Sequence, residues 1–203
     1  ATHSLALRSD GSIAAWGQIY GTPKGHDFIA IACGSNHSLA LRSDGSIVSW
    51  GWDGHKQVSD TPTGHDFKAV AGGYGHSLAL RSNGTIVSWG RDDEGQVSDT
   101  PTGNDFVAIT AGWAHSLALR SNGTIVAWGK DDEGQVSDTP TGSGFVAVAG
   151  GWHHSLALRS DGSIVSWGWD HYGLVADTPT GHDFVAIASG ERYSLALRSN
   201  GTI

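Results

Sequence analysis

The sequence predicts an all-β protein, a β-propeller assembled from tandem three-stranded units. Three observations carry that expectation. The string Ser-Leu-Ala-Leu-Arg-Ser-[Asp/Asn]-Gly-[Ser/Thr]-Ile occurs six times, its first serine at Ser4, Ser38, Ser77, Ser116, Ser155 and Ser194, spaced by 34 residues once and by 39 four times. Asp-Gly or Asn-Gly stands at the same place in every copy, the short-range signature of a β-hairpin. Nowhere does the unit show a 3.6-residue apolar period or a helix cap.

Each element follows from local pattern. "DFVAIT" (105–110) alternates and is rich in β-branched and small residues, which predicts a first strand. "HSLALRS" (115–121) predicts a second, with Leu117 and Leu119 on one face and Ser116, Ala118 and Arg120 on the other. The Asn-Gly that follows predicts a type I′ turn, whose two central residues both need φ > 0. "TIVAWG" (124–129) is the third strand. It closes on a Trp-Gly pair, found at Trp16, Trp50, Trp89, Trp128 and Trp167, which gives each unit a large ring to pack against the next. A three-stranded unit with one apolar face cannot bury that face alone, so neighbours must stack. Radial stacking leaves only short sheet edges.

The whole chain, 1–203, is expected to form one domain or fragment, with units of about 1–36, 37–75, 76–114, 115–153, 154–192 and a partial 193–203. It holds five copies of the first strand, six of the second and five full copies of the third, or five to six blades' worth. The units starting at His76 and His115 differ at 8 of 39 positions, which points to recent duplication. The short first period comes from a five-residue shortening, "QIYGTPKGHDF" standing where a later connector reads "WDGHKQVSDTPTGHDF".

The pattern AGG-x-x-HSLAL-x-x-DG-x-[IV]-x-x-WG-x-[DN]-x-x-GQ resembles the regulator-of-chromosome-condensation (RCC1) repeat across essentially the whole chain. In its compact period it resembles the bacterial branch that includes a secreted β-lactamase-inhibiting propeller. The resemblance implies a propeller whose ring has seven blades, of which this chain would be a part, with a closed ring of five or six blades as the alternative. It also implies a protein-binding role. The family's eukaryotic role in guanine-nucleotide exchange is set aside, since a uniform period leaves no room for an inserted wedge.

Repetition inside the chain separates framework from free positions. His3, His37, His76, His115 and His154 recur, with Tyr193 at the sixth place, and share the strand face of the leucines; they are expected to hydrogen-bond between units. Arg8, Arg42, Arg81, Arg120, Arg159 and Arg198 recur too, and are expected to pair with Asp60, Asp99, Asp138 and Asp177 or to stay solvated. The sequons at Asn83, Asn122 and Asn200 are the hairpin turn itself, and a fourth begins at Asn36. By contrast Trp52, Trp113, Trp152, Trp169, Tyr20, Tyr74 and Tyr172 vary between units. All fall in the loop joining first strand to second or in the loop after the third, and strand direction brings these loops to one face. Nine acids fall there as well: Asp53, Asp92, Asp93, Glu94, Asp131, Asp132, Glu133, Asp170 and Glu191, against four bases, Lys56, Arg91, Lys130 and Arg192.

Aromatic anchors amid negative charge suit protein recognition. The expected function is a non-catalytic protein–protein interaction module. The resemblance to the β-lactamase-inhibiting propeller, whose corresponding two loops carry the aromatic and acidic contacts, implies as partner-binding residues Trp52, Asp53, Tyr74, Asp92, Asp93, Trp113, Asp131, Trp152, Trp169, Asp170 and Tyr172. The expected partner is a protein with a basic patch, with self-association as a way to complete a shared blade. The net charge of −8 argues against nucleic acid, and no apolar run suits membrane insertion. No catalytic residues, metal ligands or cofactor are expected, since neither a nucleophile–base pair nor a Cys/His/carboxylate cluster is visible. Two alternatives stand beside this: a carbohydrate-binding, lectin-like propeller, which would present equivalent pockets in each blade, and a structural repeat module of a larger surface protein. A lone Cys33 rules out an internal disulfide. Absence of methionine reads as a processed or excised segment, and an extracellular or cell-surface location is expected.

Overall fold

The computed structural model describes residues 3–203; residues 1 and 2 of the first unit lie outside them. Sixteen short strands follow one another in simple up-and-down order. They divide between two compact units that meet in sequence at Asn104 and Asp105.

The first unit holds three sheets. β1 (His3–Leu7) and β2 (Ile13–Gly17) form a two-stranded sheet; β3 (Phe28–Cys33), β4 (His37–Arg42) and β5 (Ile47–Gly51) form the next. β6 (Phe67–Gly72), β7 (His76–Arg81) and β8 (Ile86–Gly90) form the third. The second unit holds β9 (Phe106–Ala111) with β10 (His115–Arg120) and β11 (Ile125–Gly129), and β12 (Phe145–Gly150) with β13 (His154–Arg159) and β14 (Ile164–Gly168). It ends on the pair β15 (Phe184–Ser189) and β16 (Ser194–Arg198). Every pairing is antiparallel, and the strand tally matches the sequence count. For β9, β10 and β11 the expected and observed strands agree to within one residue at either end.

Three local expectations need correction. The second strand is buried on both faces: β4, β7 and β10 are buried from the histidine through the second leucine, serine included. Leu39 and Leu41 of β4 pack with Phe67, Ala79 and Trp89 of the following sheet. Ala40 points the other way, into a cluster with Phe28 and Trp50 that also takes in Leu5, Leu7 and Ile13 of the preceding sheet. Large side chains on one face and alanine on the other let successive sheets sit close.

The hairpin turn is also not type I′. The amide of Gly84 bonds to Arg81 O at 3.0 Å and that of Arg81 to Thr85 O at 2.9 Å. Only the glycine has positive φ, +84°. This is a type I turn centred on Ser82 and Asn83, followed by a left-handed glycine bulge, the usual geometry when one more residue separates the strands. Asn83 Oδ1 accepts from the Thr85 amide at 3.0 Å, so the side chain braces the turn.

The third correction concerns the Trp-Gly rings, which pack back onto the preceding repeat. Trp89 Nε1 donates to Gln57 O at 2.9 Å and Trp167 Nε1 to Gln135 O at 3.0 Å. Trp16 belongs to the first described sheet and is 57% exposed.

Candidate functional site

The expectation that two loops of each repeat meet is met by a backbone hydrogen bond in every three-stranded sheet. The amide after Trp-Gly bonds the residue just before the framework histidine: Trp52 to Asn36 O (2.8 Å), Arg91 to Gly75 O (2.8 Å), Lys130 to Ala114 O (2.9 Å) and Trp169 to His153 O (2.9 Å). Within each sheet, variable positions of both loops therefore sit side by side.

In the second unit these loops build a continuous aromatic array. Trp113, from the β9–β10 loop, meets Trp152 of the β12–β13 loop edge-on at 6.0 Å and His153 at 5.1 Å. Trp152 and His153 stack at 5.2 Å. His153 then contacts Trp169 at 5.9 Å, and Trp169 stacks on His171 at 5.1 Å and meets Tyr172 at 5.9 Å. Tyr172 lies in a single 3-10 turn, His171–Gly173, with positive φ of +68° and 66% exposure. Cations already rest on two of the rings: Lys130 Nζ over Trp113 at 5.0 Å and the Arg192 guanidinium over Trp152 at 4.9 Å. Lys130 also pairs with Asp132 at 2.9 Å. The array thus unites Trp113, Trp152, Trp169 and Tyr172. It adds His153 and His171, which a tally of Phe, Trp and Tyr passes over. Burial is the main force holding the His153 pKa below its ordinary value, against the pull of Asp132.

In the first unit Trp52 lies after β5, 45% exposed, and meets His55 edge-on at 5.0 Å. Tyr74 lies under the Arg91 guanidinium at 5.8 Å, and Arg91 is clamped by Asp93. That hydrogen bond, before any other influence, holds the Arg91 pKa above its ordinary value.

Four expected contact acids are framework. Asp53 Oδ1 accepts the amides of Val58 and Ser59 (2.8 and 2.9 Å), and Asp92 accepts those of Val97 and Ser98 (2.8 Å each). Asp131 accepts Val136 and Ser137, and Asp170 accepts Val175 and Ala176, each at 2.8 Å. The Ser59 amide leads in lowering the Asp53 pKa, and the Ala176 amide leads in lowering that of Asp170. The signal was present: aspartate stands third after tryptophan in Trp-Gly-x-Asp all four times. Sorting acids by loop instead of by repeat position hid it.

Gln57, Gln96 and Gln135, fully buried at the end of the same loop, were also passed over. Gln57 Oε1 accepts the His55 amide at 2.8 Å, and Gln135 Nε2 reaches His153 Nδ1 at 3.3 Å.

The recurring arginines bond elsewhere than expected. Arg42 pairs with Asp27, Arg81 with Asp66, Arg120 with Asp105 and Arg198 with Asp183, at 2.6 to 2.8 Å. Each lies over the phenylalanine that follows its aspartate. The pairing holds because the aspartate opens the first strand opposite the arginine that ends the second; Asp60, Asp99, Asp138 and Asp177 sit in the connector. Where Gly144 replaces that aspartate, Arg159 still lies over Phe145, at 5.3 Å.

The sequence matches the family described as Regulator of chromosome condensation (RCC1) repeat over residues 28–57, 67–96, 106–135 and 145–174. The chain belongs to this family. Each matched RCC1 segment runs from the first-strand phenylalanine to the glutamine (or Leu174) that ends the second loop, and so contains both loops of the site. No curated protein matches the sequence. Among solved structures, the chain is similar to the ectodomain of the receptor kinase CR4 from Physcomitrella patens (TM-score 0.82, 24% identity), over 100% of this chain and 58% of that one. It is also similar to Prp20p from Saccharomyces cerevisiae (TM-score 0.80, 21% identity, 96% and 66%) and to the ectodomain of the Arabidopsis thaliana receptor kinase ACR4 (0.76, 20%, 98% and 72%). At these identities the likeness is one of fold, the all-β RCC1-like propeller. The RCC1-repeat chain spans little more than half the length of the CR4 ectodomain.

Proposed function

We propose that this RCC1-repeat chain is a non-catalytic binding module that recognises a protein through the aromatic array of its second unit. The array carries the reading: Trp113, Trp152, Trp169 and Tyr172 come from three stretches of sequence yet form one run of ring contacts. Trp and Tyr so grouped supply large contact area with few rotatable bonds, the composition of interface hot spots. Five acids in the same loops (Asp131, Asp132, Glu133, Asp170 and Glu191) face two bases, Lys130 and Arg192. That balance favours a partner with a basic patch and steers its approach. Neighbours of the same fold support a binding role: Prp20p is described with binding properties to Gsp1p and histones, and yeast RCC1 in complex with Kap60. Likeness to two plant receptor-kinase ectodomains supports an extracellular or cell-surface setting. Among the described residues, no helix is long and apolar enough to cross a membrane.

Affinity capture from extracellular extracts, followed by titration of the purified partner, tests the proposal. Trp152→Ala and Trp169→Ala should each weaken binding by about tenfold or more, as hot-spot truncations do. A partner whose affinity neither substitution changes would remove the array from the account.

A further inference from the structure

The first connector is the shortest, and its shortening leaves a space that the next repeat fills. "QIYGTPKGHDF" (18–28) aligns with "QVSDTPTGHDF" (57–67), so the first connector lacks a counterpart of residues 52–56, "WDGHK". In the next repeat one of those five, His55, lies against Gly75 and Arg91: a side chain on Gly75 would meet its ring at 3.1 Å and Arg91 at 3.2 Å. The residues equivalent to Gly75 and Arg91 one repeat earlier are Asn36 and Trp52, joined by the same backbone bond. The first connector has no counterpart of His55 to lie against them, and the imidazole that meets Trp52 is His55 of its own loop. Instead there is a cavity of about 320 Å³, lined by Gln18, Ile19, Tyr20, Asn36, Gly51 and Trp52.

The walls are of an unusual composition for this chain. Ile19 is packed into the core cluster of Phe28, Ala40 and Trp50, which anchors the short connector. The Trp52 ring is seated on Gly54, where any side chain would run into it, so one ring face is covered and its orientation set. Tyr20 is 87% exposed. Gln18 and Asn36 contribute primary amides, each able to donate and accept. None of the described lining residues carries a charged side chain. Two other cavities of the first unit differ: one includes Arg8, Asp10, Lys24 and His26, and the other has no aromatic wall.

We infer that the Tyr20–Trp52 cavity is a subsite for a single neutral pyranose ring. Aromatic faces beside neutral amides match a sugar, which offers an apolar C–H face to a ring and hydroxyls to amides. The volume lies at the small end of ligand pockets, the size of one ring and not of a chain. With uncharged side chains on every described wall, phosphates, uronic acids and amines are disfavoured. A lectin built by repetition would carry the same pocket in each unit. Here it comes from a gap in one connector. It shares no residue with the aromatic array of the second unit, so either reading can fail alone.

Saturation-transfer difference NMR on the intact chain tests this, with the methyl glycosides of glucose, galactose, mannose and N-acetylglucosamine as probes. Transfer to ring C–H protons from at least one is expected, with millimolar binding. Trp52→Ala and Tyr20→Ala should each weaken binding by about tenfold, and Trp52→Phe should restore part of it. Trp169→Ala should leave it unchanged. Insertion of Trp-Asp-Gly-His-Lys between Gly17 and Gln18 should rebuild the regular connector, close the cavity and abolish transfer, with circular dichroism confirming an intact fold. The inference is overturned if no pyranoside shows transfer, or if transfer survives both Trp52→Ala and the insertion. It is equally overturned if p-cresol or indole binds the cavity while every glycoside fails, since the space would then be a pocket for an apolar side chain.

Discussion

His37 and His115 sit at the heads of their strands with almost no exposure, and Nε2 of each reaches a serine hydroxyl of the following sheet, Ser77 or Ser155, at 2.9 Å. His3 and His154 make the same bond to Ser38 and Ser194. This role was legible from recurrence alone: a residue kept at one position of one strand, on the leucine face, is doing the same job each time. Burial pushes the pKa of His37 down from 6.5 to about 4 and that of His115 to about 3. The unfolded chain, with its histidines near 6.5, takes up protons before the folded one does. Stability is therefore complete above pH 6.5 and falls as pH drops toward 4 and then 3, by about 1.4 kcal/mol per pH unit for each such histidine. The turn aspartates Asp10 and Asp44 are held below 3.8, first by the hydroxyls of Ser12 and Ser46, so their contribution is present above that value and is lost only as pH falls beneath it. Denaturant titrations at pH 7, 5.5 and 4.5 should show the loss; an unchanged midpoint would mean that these histidines do not titrate on unfolding. The arginine partners were less legible, because a connector offers candidates such as Asp60 beside Asp66 and only the strand register selects between them.

At the level of the element, the turn and the third strand each give a contrast inside one chain. Gly45 and Gly142 both have positive φ, +81° and +95°. A methyl group at Gly45 would fall on the His65 carbonyl, whereas nothing lies within 4 Å at Gly142. Gly142→Ala should cost about 1 kcal/mol, the backbone penalty alone, and Gly45→Ala clearly more. Equal losses in urea unfolding would refute the close approach. The tryptophans differ in the same way. Trp89 is 5% exposed, packed on Leu39 and Leu41 and bonded to the Gln57 carbonyl, while Trp16 is 57% exposed. Trp89→Ala should destabilise by about 3–5 kcal/mol and Trp16→Ala by less than about 1, measured by the same unfolding experiment. Dipeptides predicted these hairpins but not their type, since a type I turn with a glycine bulge and a type I′ turn share the Asn-Gly signal and differ by one residue in loop length.

For the molecule as a whole, strand order and the meeting of the two loops were readable, because both depend only on period and direction. The site was half readable. Aromatic residues announce themselves in variable loops, but His153 and His171 join the array only through ring geometry. Asp53 and its equivalents looked like contact residues because surface acids and turn-capping acids are the same residue type. Within the first unit, the short connector shows how sheets and connectors vary independently. Five residues are missing between β2 and β3, yet β4 pairs with both its neighbours in the register that β7 adopts. The change in length is absorbed where no strand is being held in place. For an array descended from near-identical copies, symmetry is then broken most readily by deletion. A substitution on a strand must satisfy two packed faces, whereas a gap in a connector meets neither and leaves behind a hollow already walled by its neighbours.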